Sequence, residues 1–556
     1  MSDQDRPRRE PRTPAERAGA TPLDPERLRA DAMPVVRRRR RSLDADDGVG
    51  RGRWRGRGRL GLRRHADHDD DSLRRRRRRR RRESRRWFGV AGVLAVVAAA
   101  SGALAWVTDE RVEAADAGPP AIVVGSPVLS ARRAPELLAR PVAARNLRAA
   151  VQPVLDAAPP DSCVDVREGG EALVAHREDA PLAPASNLKL VIGAAALELI
   201  GPDERLVTRF ATDGAPTDGS VVRGNLYVVG GGDPMLTTDT YEPRFPRGVP
   251  PLTDLEAVAD QIVATGITTI EGSVVGDGSR YDDVRRLPTW PERFLTQGQV
   301  GPLGALIVND GWTVHPLTGV GGGPTDDPAL HAAEVITLLL EDRGVEVLGA
   351  PTTGVAPEGA ATLLEVPSMT IAELVDQLLT HSDNTTTELL VKEIGVRSGG
   401  GGSTEAGLAA VRSWLESEGH DTSALTLEDG SGLSAGNRVT CELLASLLEE
   451  DGPSGPVSEG LARPGEDGTL DDRMLEEPLR SAVRAKTGSL VDVTALSGWV
   501  RTQPGRDLAF AFVQNTDGQV GGQHLALQER LLAELLGHPH APPDGQLVPL
   551  PPGPPG

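Results

Sequence analysis

Lysine is the residue type that this chain uses least among its charged residues. Only three of 61 basic residues in 556 are lysines, and they are Lys189, Lys392 and Lys486. Arginine therefore serves wherever a plain positive charge is enough. A buried lysine can give up its proton, whereas a guanidinium effectively never does. We therefore expect a lysine to be kept where proton transfer requires one.

Cysteine is scarcer still, with two residues in the whole chain. This number excludes a fold scaffolded by several disulfides and any metal site built only from thiolates. The ten histidines show no His-Glu-x-x-His or similar ligand spacing, so we predict no metal and no cofactor. Cys163 and Cys441 can pair in an oxidising location, but the sequence does not place their Cα atoms within about 7 Å of each other.

Charge is distributed unevenly along the chain. Residues 1–86 contain 30 arginines and 15 acidic residues, whereas residues 87–556 contain 31 basic and 65 acidic residues. The first segment has blocks of arginine and little apolar periodicity, which predicts a disordered tail. The acidic remainder argues against nucleic-acid binding by the folded body, because that binding needs a clustered positive face. The sequence does not identify a partner for the tail.

A run of 21 residues without charge, 87–107, follows the tail. As a helix it would extend about 30 Å, the thickness of a bilayer core. Arg86 precedes this run and Asp109 follows it, so the positive-inside rule predicts a single-pass membrane protein with a cytoplasmic N-terminus and an extracytoplasmic body. A cleaved signal peptide is the alternative, since Ala103–Ala105 has the small-x-small form of a cleavage site. The long leader favours the anchor.

The composition then divides the body into segments. Short β-rich runs with Gly and Pro turns occupy 205–365, and helical periodicity returns from Ile371. We interpret the β-rich block as an insertion that splits a core. The predicted segments are a linker at 108–140, a first core segment at 141–204, a β-rich insert at 205–365, a second core segment at 366–538 and a disordered Pro-rich tail at 539–556.

The first candidate motif is Ser186-x-x-Lys189, at the start of a predicted helix. Residues three positions apart on a helix are neighbours, so the motif places an amine beside a hydroxyl. A desolvated lysine can act as the base that activates a serine nucleophile. The N–H groups at the helix N-terminus can stabilise a developing oxyanion. Because the chain has so few lysines, this spacing occurs once.

Two further motifs follow in the chain. Ser382-Asp383-Asn384 comes after a predicted helix, and alone it is best explained as a helix cap. Lys486-Thr487-Gly488 and then Ser489 precede a predicted strand; alone this could be a surface strand and turn, although its lysine and hydroxyls could bind a carboxylate. Three unique motifs in this order, using two of three lysines, are poorly explained by chance. Lys392 lies outside them and is predicted to be a solvated or snorkelling side chain on a helix.

This motif set resembles that of the penicillin-recognising serine acyl-transferases. The body is most similar to the D-alanyl-D-alanine carboxypeptidase/endopeptidase family, the class C low-molecular-mass penicillin-binding proteins. Three stretches add to the likeness, at Gly224–Pro234, Asp277–Tyr281 and Asp429–Ser434. The resemblance implies an α/β (α+β) transpeptidase/β-lactamase-like core, with an antiparallel sheet flanked by helices and an inserted domain between its halves.

The resemblance also implies a role for each motif residue. Ser186 would be the nucleophile, Lys189 the base, and Ser382 the relay that passes a proton to the leaving amine. The backbone N–H groups of Ser186 and Ser489 would form the oxyanion hole. The remaining residues would bind substrate, and they are Asn384, Lys486, Thr487, Gly488 and Ser489.

The implied function is cleavage of peptidoglycan stem peptides through an acyl-enzyme, with β-lactams as inhibitors. The sequence does not decide between carboxypeptidase and endopeptidase activity. One alternative is a β-lactamase, which is disfavoured because no Glu-x-x-x-Asn stretch of the class A deacylation type lies between Ser382 and Lys486. The other is a non-catalytic envelope scaffold or sensor, for which two motif lysines would be unnecessary.

Overall fold

The computed structural model describes residues 135–214, 220–241 and 252–539. Within these ranges, no helix combines the length and apolar character needed to span a bilayer. The predicted membrane helix at 87–107 and the arginine-rich tail lie outside the described residues, as do most of the linker and almost all of the Pro-rich tail.

The described chain contains both helices and strands. The helices are α1 (Pro135–Leu155), α2 (Leu188–Leu199), α3 (Leu255–Ala264), α4 (Arg293–Thr296), α5 (Pro328–Asp342), α6 (Ile371–His381), α7 (Asn384–Arg397), α8 (Thr404–Glu418), α9 (Cys441–Asp451), α10 (Pro456–Glu459), α11 (Leu479–Ala482) and α12 (Gly522–Leu536).

The strands are mostly short within the insert and long outside it. They are β1 (Asp161–Glu168), β2 (Glu171–His176), β3 (Arg205–Thr212), β4 (Val221–Val222), β5 (Leu226–Val229), β6 (Leu236–Thr237), β7 (Thr253–Asp254), β8 (Thr269–Ile270), β9 (Val274–Asp277), β10 (Trp312–Val314), β11 (Gly321–Pro324), β12 (Glu346–Val347), β13 (Thr352–Thr353), β14 (Ala361–Thr370), β15 (Val483–Ser489), β16 (Val493–Arg501) and β17 (Asp507–Asn515).

The core sheet is antiparallel, in the order β15-β16-β17-β1-β2. Both of its faces are covered, and strand β17 shows why its sequence alternates small and large residues. Ala509 and Ala511 face the cluster that contains the apolar side chains of α2, α6 and α9. Phe510 and Phe512 face the opposite cluster, built with α1 and α12. Because successive strand residues point to opposite faces, the small side chains lie on the face against which α9 packs.

Helix α1 begins at Pro135, so the last six residues of the predicted linker at 108–140 are helical. Its apolar residues Leu147 and Val151 are fully buried against α12 and the sheet. The linker prediction was therefore too long at this end. The helix begins on a proline, which is tolerated at the first helical position because its missing N–H would have no partner there.

The first and last strands of the insert lie side by side where the insert joins the core. β3 and β14 pair antiparallel, with Arg205 opposite Thr370. The strand thus extends past the predicted boundary at residue 365, and Thr370 then caps α6 in a capping box with Glu373. Inside the insert a five-stranded sheet in the order β13-β9-β5-β3-β14 forms a separate apolar core with α3 and α5. The insert is therefore a mixed α/β unit as well as a β-rich one.

The two cysteines form a disulfide that joins β1 to the start of α9. The Cα atoms of Cys163 and Cys441 are 5.9 Å apart, and 278 positions separate them in sequence. Both are fully buried. The bridge covalently joins the core segment that precedes the insert to the core segment that follows it.

Candidate active site

Ser186 lies in a single 3-10 turn, Ala185–Asn187, that leads directly into α2. Lys189 follows in the first turn of α2 and is fully buried. Its Nζ atom is 3.2 Å from the Ser186 Oγ atom. The sequence motif thus forms the predicted hydroxyl and amine pair.

The Lys189 amine has two other close neighbours. It donates to the Asn384 Oδ1 atom at 2.6 Å and to the Ser431 carbonyl oxygen at 2.6 Å. A neutral amine has two N–H bonds and one lone pair, and these two oxygens can only accept. They take both N–H bonds, so the lone pair of a neutral Lys189 is directed at the Ser186 hydroxyl.

The protonation of Lys189 is set mainly by its burial. Desolvation lowers the pKa of Lys189 to about 8, although the nearby carboxyl group of Glu388 acts to raise it. A base with a pKa near the working pH is well matched to proton transfer. The neutral form of Lys189 is therefore accessible near neutral pH.

The backbone before Ser186 is held in an unusual conformation. Ala185 has φ 47°, in the left-handed region that residues other than glycine and asparagine rarely adopt. A Cβ atom on Gly432 would lie 1.9 Å from the Ala185 carbonyl oxygen. A Cβ atom on Gly488 would lie 2.7 Å from the Pro184 carbonyl oxygen. Two glycines, one from each flanking segment, thus allow the chain to pack against the turn that carries Ser186.

The Lys-Thr-Gly motif lies within β15, the edge strand of the core sheet. Lys486 is fully buried, and its Nζ atom donates to the Thr487 carbonyl oxygen at 2.9 Å. Burial, together with the charge of Lys189, lowers the pKa of Lys486 well below its usual value. Gly488 contacts Pro184, so Ser489 at the exposed end of β15 lies close to the Ser186 turn.

Sequence reasoning gave no role to Asn187, which is the residue after the nucleophile. Its fully buried side-chain amide donates to the Lys486 carbonyl oxygen at 2.9 Å and accepts from the Ser497 hydroxyl at 2.7 Å. Asn187 thereby fastens the Ser186 turn to strands β15 and β16. A polar residue inside an apolar helix start was the signal that could have found it.

The Ser-Asp-Asn motif forms the corner between α6 and α7. Ser382 has a left-handed conformation with φ 62° and ends α6, while Asp383 caps α7 by accepting from the Thr386 N–H at 3.1 Å. The helix-cap interpretation is therefore correct for Asp383. The next residue, Asn384, accepts the hydrogen bond from Lys189 described above. Ser382 and Asn384 line a cavity of about 140 Å³, together with Gln299 of the insert.

The Asp429–Ser434 stretch forms the loop that supplies the Ser431 carbonyl. The fully buried Asp429 organises this loop by accepting four hydrogen bonds. Its donors are the N–H groups of Gly432 (2.9 Å) and Ser434 (2.6 Å), the Asn437 amide (2.7 Å) and the Trp290 indole (2.8 Å). The sequence showed the stretch but not its place beside Lys189.

The insert contributes directly to this site. Trp290 belongs to the insert and reaches Asp429, and the Gln299 carbonyl oxygen accepts from the Asn384 Nδ2 atom at 2.7 Å. The Gly301 N–H donates to the Thr385 hydroxyl at 2.9 Å. The insert therefore fixes the Asn384 side chain from the side opposite Lys189.

Comparison with known proteins decides the family. The model of the D-Ala-D-Ala carboxypeptidase 3 (S13) family matches residues 147–324 and 323–535. The chain belongs to this family. The S13 chain is accordingly a serine-type D-Ala-D-Ala carboxypeptidase/endopeptidase and a hydrolase, as the motif resemblance implied.

Two relatives and one solved structure illustrate the relationship of this S13 chain to known proteins. It is 30% identical over 452 residues to a D-alanyl-D-alanine carboxypeptidase of Actinomadura sp. (strain R39), covering 67% of this chain and 79% of that protein. It is 32% identical over 459 residues to carboxypeptidase DacB of Mycolicibacterium smegmatis, covering 78% and 93%. Penicillin-binding protein 4 of Haemophilus influenzae has the same fold, with a TM-score of 0.61 at 21% identity over 69% of this chain and 99% of that one. The predicted transpeptidase-like core is thereby confirmed.

The prediction for Lys392 in this S13 chain was wrong. Lys392 is fully buried on α7 and forms an ion pair with Asp282 of the insert. The neighbouring Glu393, also fully buried, binds Arg280 through two hydrogen bonds of 2.9 and 2.7 Å. The insert covers the side of α7 that would otherwise face solvent. No pattern in the sequence indicates this contact.

Proposed function

We propose that this hydrolase cleaves D-Ala-D-Ala termini of peptidoglycan stem peptides through an acyl-enzyme on Ser186. The observation that carries the proposal is the contact of Lys189 with Ser186 at 3.2 Å, with both amine N–H bonds taken by Asn384 and Ser431. A buried amine held in this way can remove the serine proton. The site is thus arranged for acyl transfer.

In the acylation step, neutral Lys189 accepts the Ser186 proton while the Oγ atom attacks the carbonyl carbon between the two D-alanines. The negative charge that develops on the carbonyl oxygen is stabilised by the backbone N–H groups of Ser186 and Ser489. The C–N bond then breaks, and the proton passes through Ser382 to the leaving D-alanine amine. Water hydrolyses the resulting ester and regenerates Ser186.

Substrate binding is assigned to the strand beside the nucleophile. The terminal carboxylate of the substrate would bind Thr487 and Ser489, and Gly488 lets the peptide backbone approach β15. A bound carboxylate raises the pKa of the buried Lys486 and favours its charged form. Lys486 thus contributes positive potential when the substrate is present. Asn384 would hydrogen-bond the acyl portion of the substrate.

The experiment that tests this function is intact mass spectrometry of the full-length chain after incubation with benzylpenicillin, followed by peptide mapping. We expect one covalent adduct on Ser186 and none on the Ser186→Ala variant. An adduct on another residue, or no adduct, would refute the assignment. Rapid loss of the adduct with multiple turnover would instead identify a β-lactamase.

We propose in addition that residues 87–107 anchor the chain in the membrane with the catalytic body outside. The uncharged run and the arginines before it support this proposal. Carbonate extraction of membranes should leave the full-length chain in the pellet, whereas a cleaved signal would release the body.

A scaffold role would require that Ser186→Ala rescue a deletion strain.

A further inference from the structure

Glu388 is a buried carboxyl group that the mechanism above does not use. It lies on α7, four residues after Asn384 and therefore on the same face of the helix. Its side chain is fully buried. A carboxyl group in such a place is costly unless it makes specific hydrogen bonds.

The hydrogen bonds of Glu388 end at the loop that holds Lys189. Its Oε1 atom accepts from the Gly430 N–H at 3.0 Å and from the Ser431 N–H at 2.7 Å. The carbonyl oxygen of the same Ser431 accepts from the Lys189 Nζ atom at 2.6 Å. One oxygen thus fixes two consecutive backbone N–H groups, and the carbonyl of the second residue is one of the two acceptors that orient the amine.

We propose that Glu388 is a positioning residue for Lys189, an inference that rests on the acylation of Ser186 proposed above. By holding the Gly430-Ser431 backbone, Glu388 keeps the Ser431 carbonyl on the amine. Without that acceptor an N–H bond of Lys189 is free to rotate toward the Ser186 oxygen. The lone pair would then no longer face the serine proton.

Helix α7 consequently controls both acceptors of the Lys189 amine. Asn384 contacts the amine directly, and Glu388 acts one turn later through the loop. Burial raises the pKa of Glu388 to about 8, so its neutral form is accessible near pH 7. Of the charged groups that face it, Asp429 raises this pKa further and Lys189 lowers it. A neutral acid accepts through its carbonyl oxygen, as a glutamine side chain does.

The test compares two substitutions of nearly equal size that differ in this acceptor. Glu388→Gln keeps a carbonyl oxygen, whereas Glu388→Met removes it. Stopped-flow acylation of the full-length chain by a fluorescent penicillin at pH 7 separates the initial binding constant from the acylation rate constant. We expect Glu388→Met to lower the acylation rate constant about 10- to 100-fold with unchanged initial binding. Glu388→Gln should stay within about threefold of wild type, because the amide oxygen can accept the same two backbone hydrogen bonds.

A matched control is Asp165→Asn, which removes a buried carboxyl group on β1 that pairs with Arg167 at 2.7 Å. It should leave acylation unchanged. Wild-type acylation in Glu388→Met would overturn the inference, and so would an equal loss in both Glu388 variants, since that would mean that charge rather than an acceptor matters.

If Glu388→Met does not fold, Glu388→Asp takes its place, because it withdraws the acid by one methylene. A loss of about tenfold or more is then expected, and a wild-type rate would overturn the inference. Failure of wild type itself to acylate would refute the proposed function instead.

Discussion

All three lysines of the chain are fully buried, although lysine is a residue type that proteins normally expose. Two of them, Lys189 and Lys486, belong to the motifs of the candidate site and have lowered pKa values. The third, Lys392, joins the insert to the core. At the residue scale, the scarcity of lysine in the sequence thus marks positions where an amine is needed inside the protein.

Replacing Lys189 by arginine tests the proton chemistry directly. Arginine keeps the positive charge but does not give up its proton, so we expect Lys189→Arg to lower the acylation rate constant about 10²- to 10⁴-fold. The measurement is the time course of labelling by a fluorescent penicillin. Lys392→Arg, outside the site, is the matched control and should label at the wild-type rate. Normal labelling of Lys189→Arg would exclude Lys189 as the base.

The pH dependence of acylation follows from the same group. Because burial lowers the pKa of Lys189 to about 8, the neutral fraction grows as the pH rises through that value. Acylation should therefore be slow at pH 6, fall about tenfold per pH unit below the pKa and become constant above it. A rate that is flat from pH 6 to 9 would contradict a lysine base.

At the scale of the element, the sequence predicted the return of helices after the insert. The helical periodicity predicted from Ile371 begins at the first residue of α6, whose apolar side chains recur with the period of a helix. Strand β15 was named only in the alternative of a surface strand and turn, and its burial was not predicted, because its buried positions include a lysine. The burial of Lys486 depends on the Ser186 turn packing against it, which no local pattern shows.

The residues of the candidate site also divide into those that the sequence could predict and those that it could not. Ser186, Lys189 and Asn384 could be named because each stands in a short motif with a unique spacing. Ser431 and Glu388 could not, because the first acts through its backbone carbonyl and the second through hydrogen bonds to a loop 42 and 43 residues away. Long-range contacts of this kind leave no periodic signal.

The link between β1 and α9 gives a stability prediction. Replacing Cys163 and Cys441 together by alanine removes a bridge between residues that are 278 positions apart. The free energy of unfolding should fall by about 2–5 kcal/mol. Urea titration followed by circular dichroism measures the change, and wild type in excess reductant should shift the same way. The variant should still acylate, since both cysteines lie in the apolar core. An unchanged midpoint would show that the bridge adds no stability.

At the scale of the whole molecule, the insert and the core are joined through α7. Asp282→Asn leaves the ammonium of Lys392 buried without its partner, and it should lower the free energy of unfolding by on the order of 3 kcal/mol. Adding Lys392→Met removes the unpaired charge and should restore part of that loss. The measurement is a double-mutant cycle by urea titration. Strictly additive losses would mean that the two side chains do not interact.

The antiparallel pairing of β3 with β14 brings the entry and exit of the insert side by side. Evolution could therefore lengthen or shorten the segment between them without rerouting the polypeptide on either side, as with any loop grown from a hairpin. Trp290 and Gln299 nevertheless bring the insert into contact with the candidate site. Deleting the segment between β3 and β14 would therefore remove the carbonyl oxygen that holds the Asn384 amide.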